Sequence, residues 1–195
     1  MNLDALNQRH QELVEHELQL QQTPFVFGEG RLEPVIMLVG EAPGAQEVLQ
    51  GRPFVGKAGQ NLAHFLQQLQ LDRSALYISN VVKIRPHRVG ATGRLSNRPP
   101  TRTEIAAFLP WLSEEISHVS PRLIVTLGNT ALQAIVGPVA VIGEVHGQLI
   151  SRQGMPAVFP LYHPAAIIYN RALQATYDED LVRLNGLLVE WQVHR

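Results

Sequence analysis

Apolar and polar residues alternate along this chain in a way that marks strands and helices in regular succession. Residues 35–39 are five apolar residues in a row, a run suited to a strand buried on both faces of a parallel sheet. Further apolar runs at 76–82, 123–127 and 157–161 predict three more strands. Between them, apolar residues spaced three and four apart predict helices over 60–71, 101–119 and 129–136. An amphipathic helix over 3–20, built on Leu3, Leu6, Leu13, Val14 and Leu18, opens the chain, with His10 and His16 expected on its surface. Another over 173–192 closes it. Residues 25–27 read as a short extended piece, and 139–142 and 148–151 as weak strands or loop. Thr101 and Glu104 have capping-box spacing, and Pro110 is expected to bend the helix they begin. Residues 85–100 lack periodicity and read as a long loop, a feature that in compact domains is usually functional or mobile.

Strand–helix alternation of this kind predicts an α/β fold. The expected form is a three-layer αβα arrangement around a central, mainly parallel four-stranded sheet, in one domain spanning 1–195. In such folds ligands bind at the carboxyl ends of the strands. The first strand runs into Gly40-Glu41-Ala42-Pro43-Gly44, and 51–59 adds Gly51, Pro53, Phe54, Gly56 and Gly59. Glycine lets backbone approach a ligand closely, and proline fixes φ while removing a donor. Phe54 within that loop is read as offering its face to a flat ligand, with core packing as the alternative. Asn80 and His163 fall at the carboxyl ends of the second and fourth strands, level with Glu41. An Asn amide offers a donor and an acceptor to a base edge, though it could merely tie down a loop.

Composition narrows the chemistry. The 195 residues contain no cysteine, which excludes disulfides, thiolate catalysis and cysteine-held iron–sulfur clusters. The eight histidines include no His-x-x-x-His pair with an adjacent Glu, so no metal is expected. No apolar run approaches a membrane span and the start of the chain is no signal peptide, which makes the cytoplasm the expected location. The net charge of −1 hides an asymmetry: no acidic residue lies between Asp72 and Glu104, where Arg73, Lys83, Arg85, Arg88, Arg94, Arg98 and Arg102 stand. A local basic patch suited to phosphates is the expectation, against a solvated loop with scattered arginines.

With these residues assembled, the chain resembles the uracil-DNA glycosylase superfamily, most closely its family 4. Residues 40–44 look like the first motif of that family and 51–59 like its continuation. Asn80-Val81-Val82-Lys83 with Arg85-Pro86, then Asn97-Arg98-Pro99, resemble the segment after the second strand, and His163-Pro164-Ala165 the last motif. The resemblance covers roughly 27–170 in consistent order. Family 4 members usually hold a [4Fe–4S] cluster on four cysteines. Here Ile84 and Phe108, or a neighbour of Phe108, stand at two of those positions, and Gln, Glu and His fill the N-terminal segment expected to supply the others. A cofactor-free branch in which packing replaces the cluster is expected. The loop at 85–100 is also longer than is usual in the family.

The resemblance implies removal of a flipped-out uracil from single- or double-stranded DNA by a monomer, leaving an abasic site. Uracil would lie on Phe54, with Asn80 reading O4 and N3–H. His163 and backbone N–H groups of the Glu41–Ala45 loop, with Ala42 and Gly44 as its named substrate contacts, would stabilise charge developing on O2. Some relatives have an Asp at the place of Ala42, so Glu41 or Glu47 is left to position water, and Glu41 could equally be structural. Lys57, Lys83, Arg85, Arg88, Arg98 and Arg171 are the candidate phosphate contacts. Ile167, Ile168 or Tyr169 is the candidate wedge, with core helix residues as the alternative. A non-catalytic DNA- or base-binding member, or a glycosylase for another deaminated base, is the rival reading.

Overall fold

Four apolar strands meet in parallel, as their doubly buried sequences require. In the computed structural model, which describes residues 2–191 apart from the side chains of Lys57, Ala58, Asn61, His64, Ile168 and Tyr169, the sheet has five strands. They are β1 (Glu29–Gly30), β2 (Ile36–Gly40), β3 (Tyr77–Asn80), β6 (Leu123–Leu127) and β7 (Ala157–Leu161), in the order β1-β3-β2-β6-β7. The parallel strands match the four expected. The fifth, β1, is a two-residue antiparallel edge pairing Glu29 with Ile78 and Gly30 with Tyr77. Its brevity, with no alternation to detect, hid it from sequence reading.

Alternate side chains of these strands feed two cores. Ile36, Leu38, Ile78, Val125 and Phe159 pack with Phe65 and Leu66 of α3 (Lys57–Gln68) and with Leu181, Leu184 and Leu188 of α8 (Leu173–Glu190). Met37, Val39, Tyr77, Ile124 and Val158 face the other way. They meet Leu6 and Val14 of α1 (Leu3–Glu17), Phe108, Trp111 and Leu112 of α4 (Arg102–Val119) and Ala131 of α5 (Asn129–Val136). Helices thus cover both faces. Thr101 accepts the Glu104 N–H and the Glu104 carboxylate returns a bond to the Thr101 N–H, so the expected capping box starts α4. That helix runs unbroken past Pro110.

The structure departs from the sequence expectations in several places. His10 is buried rather than on the surface, stacked on Trp111 at 5.6 Å, because α1 is pressed against α4. Leu13, by contrast, is exposed. Residues 139–141 are loop, one of the two expected forms, and a short helix that was not anticipated, α6 (Ile142–Val145), follows. The loop at 85–100 contains an antiparallel hairpin, β4 (His87–Val89) and β5 (Leu95–Asn97). Two more helices were not anticipated as elements, α2 (Ala45–Gln50) inside the glycine-rich loop and α7 (Pro164–Tyr169) after His163. Among the described residues, no helix is long and apolar enough to cross a membrane.

The second core contains a charge pair. Lys83 and Glu115 are both fully buried, with Nζ 2.6 Å from Oε2. The ammonium also donates to Ser79 Oγ at 2.7 Å and to the main-chain carbonyl of Asn80 at 2.6 Å. Glu115 further accepts from the Tyr77 hydroxyl and Ser79 Oγ. Burial pulls the Lys83 ammonium below the ordinary lysine range, against the opposing pull of Glu115. Lys83 therefore cannot touch a phosphate. Removing one partner leaves an uncompensated charge, so Lys83→Met is expected to lower stability by about 3–5 kcal/mol. Lys83→Met with Glu115→Leu should recover part of that loss, since it removes both charges and takes a partner only from the Tyr77 and Ser79 hydroxyls and the Asn80 carbonyl. Guanidinium unfolding of both variants checks this ordering.

Candidate active site

The carboxyl ends of the four parallel strands open into one cleft of about 640 Å³. Parallel register sets the level of each functional group: Gly40 pairs with Asn80, and Leu127 with Leu161. Glu41, Asn80, Gly128 and His163 therefore follow their strands at the same edge, and all four line the cleft with Phe54. Strand order reverses between β2 and β6, the place where open α/β sheets bind ligands.

Phe54 and Asn80 meet over Gly40. A Cβ at Gly40 would sit 2.5 Å from Asn80 Oδ1 and 2.5 Å from Phe54 Cζ, so only glycine admits both. Phe54 is buried and belongs to the first core while also lining the cleft, which merges the two readings of its ring. Its φ of +52° is a strained conformation for a bulky residue. Arg73 holds it there by donating to the carbonyls of Pro53 and Phe54, while its other contact is Glu29 on β1. Gly59 completes the fit, because a Cβ there would lie 2.2 Å from the Phe54 oxygen.

The two acidic candidates occupy different environments. Glu47, buried, accepts from Gly44 N–H at 3.1 Å through one oxygen and from Val55 and Gly56 N–H at 3.1 and 2.7 Å through the other. It ties the two halves of the glycine-rich loop together. Both of its oxygens are occupied, and so is the Gly44 N–H that had been assigned to substrate. Glu41 is half-buried, and its Oε2 accepts from Thr130 Oγ1 of α5 at 2.5 Å. No described residue donates to Glu41 Oε1.

His163 begins α7, and its Nδ1 accepts the Ala165 N–H at 3.1 Å. That bond places the proton of the neutral ring on Nε2. Burial lowers the pKa of His163 below its ordinary 6.5, so the ring is neutral near pH 7. The His163 backbone and Cβ pack beside Gly128, where an added Cβ would sit 3.1 Å from the His163 Cβ, and the ring centroid is 6.4 Å from that of Phe54.

Thus Glu41, Ala42, Gly44, Glu47, Phe54, Asn80, Arg98 and His163 of the sequence candidates line one cleft. Lys83 lies beneath it. Arg85 Nε donates to Asn97 Oδ1, and Arg98 forms a two-bond ion pair with Glu104, so both brace the hairpin base. Arg88 and Arg171 are exposed. Ile167 is half-buried against the first core, while the side chains of Lys57, Ile168 and Tyr169 lie outside the described residues. Sequence reading missed Asn97 and Thr130 as cleft residues. Thr130 carried a usable signal, since Gly128-Asn129-Thr130 follows the third predicted strand at the same edge.

Comparison with known proteins agrees with this geometry. The model of the uracil DNA glycosylase superfamily matches residues 27–185. The chain belongs to that superfamily. It is 38% identical to the type-4 uracil-DNA glycosylase of Thermotoga maritima over 95% of this chain and 94% of the relative. It is 39% identical to that of Pyrobaculum aerophilum, over 83% and 82%. With the type-4 protein of Sulfurisphaera tokodaii the identity is 37%, over 86% and 76%.

The [4Fe–4S] cluster that the family-4 resemblance implies does not fit the residues present. The chain has no cysteine, and Ile84 and Phe108 are buried in the second core. Phe25, Phe27, Phe108, Trp111 and His10 stack at centroid distances of 5.6 to 6.4 Å in that region. Among the described residues, no group of His, Asp and Glu side chains is arranged to hold a metal.

Gly40→Ala tests the convergence over β2. The added methyl must displace the Phe54 ring, the Asn80 amide or both, and misplacement of about 1 Å at a reacting centre can reduce rates about a hundredfold. The rate of the reaction in the cleft should fall by that order, and the thermal midpoint should fall as well because Phe54 belongs to the first core. An unchanged rate would show that neither group touches the reacting ligand.

Proposed function

We propose that this chain is a uracil-DNA glycosylase, hydrolysing the bond between uracil and deoxyribose in DNA. The observation that carries the reading is the joint placement of Phe54, Asn80 and a neutral, Nε2-protonated His163 around one cleft, in a member of this superfamily. It acts as a cytoplasmic monomer of one domain on single- or double-stranded DNA.

A base inside the duplex cannot reach this cleft, so uracil must be flipped out. Its ring lies on Phe54. The Asn80 amide donates to O4 and accepts from N3–H, whereas cytosine presents an amine and an unprotonated N3, leaving the amide mispaired at roughly 1–3 kcal/mol. As the C1′–N1 bond breaks, its electron pair moves into the uracil ring and charge builds on O2. His163 Nε2–H donates to that oxygen, assisted by the Ala42 N–H, which no described residue occupies. An oriented donor of this kind contributes about 3–4 kcal/mol. Water adds to C1′ and releases a proton as the sugar's positive charge is quenched. Glu41 is favoured over Glu47 for orienting that water, because no described residue donates to its Oε1 while Glu47 is bound by three N–H groups.

The decisive experiment is excision from a uracil-containing oligonucleotide, with alkali to reveal abasic sites. Wild type should cleave. His163→Ala and Asn80→Ala should each lose on the order of a hundredfold or more in single-turnover rate. Glu41→Gln should lower the rate with stability unchanged, whereas Glu47→Gln should lower the thermal midpoint as well. DNA binding without excision would instead indicate a non-catalytic member or a different base.

The pH profile tests His163 separately. Its folded pKa lies below the ordinary 6.5, so the neutral donor persists at and above neutral pH and the rate should be flat there. In acid the ring gains a proton on Nδ1, the bond from Ala165 is lost, and the rate changes only once the lowered pKa is passed. Since the unfolded chain takes up this proton first, the residue's contribution to stability declines as pH falls below 6.5 toward the folded value. A rate inflection above pH 7 that disappears in His163→Ala would contradict a neutral donor.

A further inference from the structure

The β4–β5 hairpin occupies most of the 85–100 segment, and its chemistry differs from that of the cleft. Gly90 N–H bonds to the Arg94 carbonyl and Gly93 N–H to the Gly90 carbonyl, with Gly93 at φ +76°, which closes the turn. A two-stranded ribbon alone is marginal. This one is anchored at its base, where Arg98 donates to the His87 carbonyl and pairs with Glu104 at the start of α4.

Register decides which side chains face the cleft. His87 pairs with Asn97, Arg88 with Ser96 and Val89 with Leu95. Opposite residues share a face and residues two apart along a strand share it too. Asn97 lines the cleft, and its Nδ2 approaches within 3.4 Å of where a Gly44 Cβ would stand. Val89 and Leu95 therefore continue the cleft-side face outward, about 7 Å beyond Asn97. Both are apolar and exposed, at 67% and 45%. Arg88 lies on the other face against Ser96, and among the described residues neither Arg88 nor Arg94 has an ion-pair partner. The whole segment from 73 to 103 lacks an acidic side chain.

We propose that this hairpin is a second nucleic-acid contact in which Val89 and Leu95 support the base next to the flipped nucleotide. The inference rests on the glycosylase reading. An exposed apolar pair flanked by unpaired cations suits a nucleotide, whose base presents an apolar face and whose phosphate is anionic. Its continuity with Asn97 puts that nucleotide adjacent to the one in the cleft. Apolar side chains are a known means of replacing lost stacking where a base has been extruded. Arg88 and Arg94 hold the flanking phosphates.

The test is a cycle between protein and DNA. Binding is measured with oligonucleotides containing 2′-fluoro-deoxyuridine, which is not cleaved. The base on one side or the other of it is either present or replaced by a tetrahydrofuran abasic unit. The wild type should prefer the intact flanking base on one side by roughly fivefold or more, as expected for one stacking contact. Val89→Ser/Leu95→Ser, at exposed positions, should melt like wild type yet lose that preference. Arg88→Ala should reduce the salt slope of log affinity by about one while keeping the preference. A wild type indifferent to both flanking bases, or a double variant that keeps the preference, overturns the assignment. Self-association of the wild type that the double variant abolishes, with flanking-base preference unchanged, also overturns it and identifies a second copy as the occupant. Uracil excision is measured alongside on the unfluorinated oligonucleotide. A wild type that shows the preference but no excision defeats the glycosylase reading and leaves the hairpin contact standing.

Discussion

A fully buried lysine–glutamate pair sets the geometry on which the cleft depends. Lys83 Nζ reaches Glu115, the Ser79 hydroxyl and the Asn80 carbonyl at once, joining the turn after β3 to the middle of α4. Such a pair is weak evidence of net stability, because two apolar residues can fill the same space. Its geometric effect is specific: the main chain of Asn80 is gripped from beneath, so the amide above is presented toward Gly40 at a fixed height. The bonds from Val81 and Val82 N–H to the Gly40 and Glu41 carbonyls extend that coupling into β2. A positioned amide discriminates between bases only if it cannot rotate or shift to suit the wrong one.

The opposite wall is held by a different device. Glu47 gathers N–H groups from Gly44, Val55 and Gly56, and Arg73 gathers the Pro53 and Phe54 carbonyls while bonding Glu29. Together they maintain Phe54 at a positive φ that its own side chain disfavours. Strain of this sort persists only where surrounding bonds over-determine the conformation. Charged residues that look like catalytic or phosphate-binding candidates in sequence are here the struts of the pocket, and Glu41 Oε1, to which no described residue donates, stands out by contrast.

Aromatic packing joins α1 to α4. Ring contacts among Phe25, Phe27, Phe108, Trp111 and His10, with Trp111 Nε1–H donating to Asn7 Oδ1, hold the two helices together. The cleft lies at the sheet edge rather than in this region.

Much of this was legible in the sequence because it is governed by local rules. Apolar runs mark β2, β3, β6 and β7, the Thr101–Glu104 spacing marks the start of α4, and glycines cluster where a ligand must approach backbone. Glu41, Asn80 and His163 could be assigned to one edge because parallel strands of predictable length put their ends level. Tertiary structure alone decided which charges are free. Lys83, Arg98 and Glu47 read as surface or catalytic groups until partners outside their own elements, at Glu115, Glu104 and the Val55–Gly56 backbone, neutralised or occupied them. The same holds for His10, buried by a neighbouring helix, and for Phe54, which is core and cleft at once. Periodicity reports which face of an element is apolar, but a side chain's charge state, burial and remaining hydrogen-bonding capacity belong to contacts that no periodic pattern encodes.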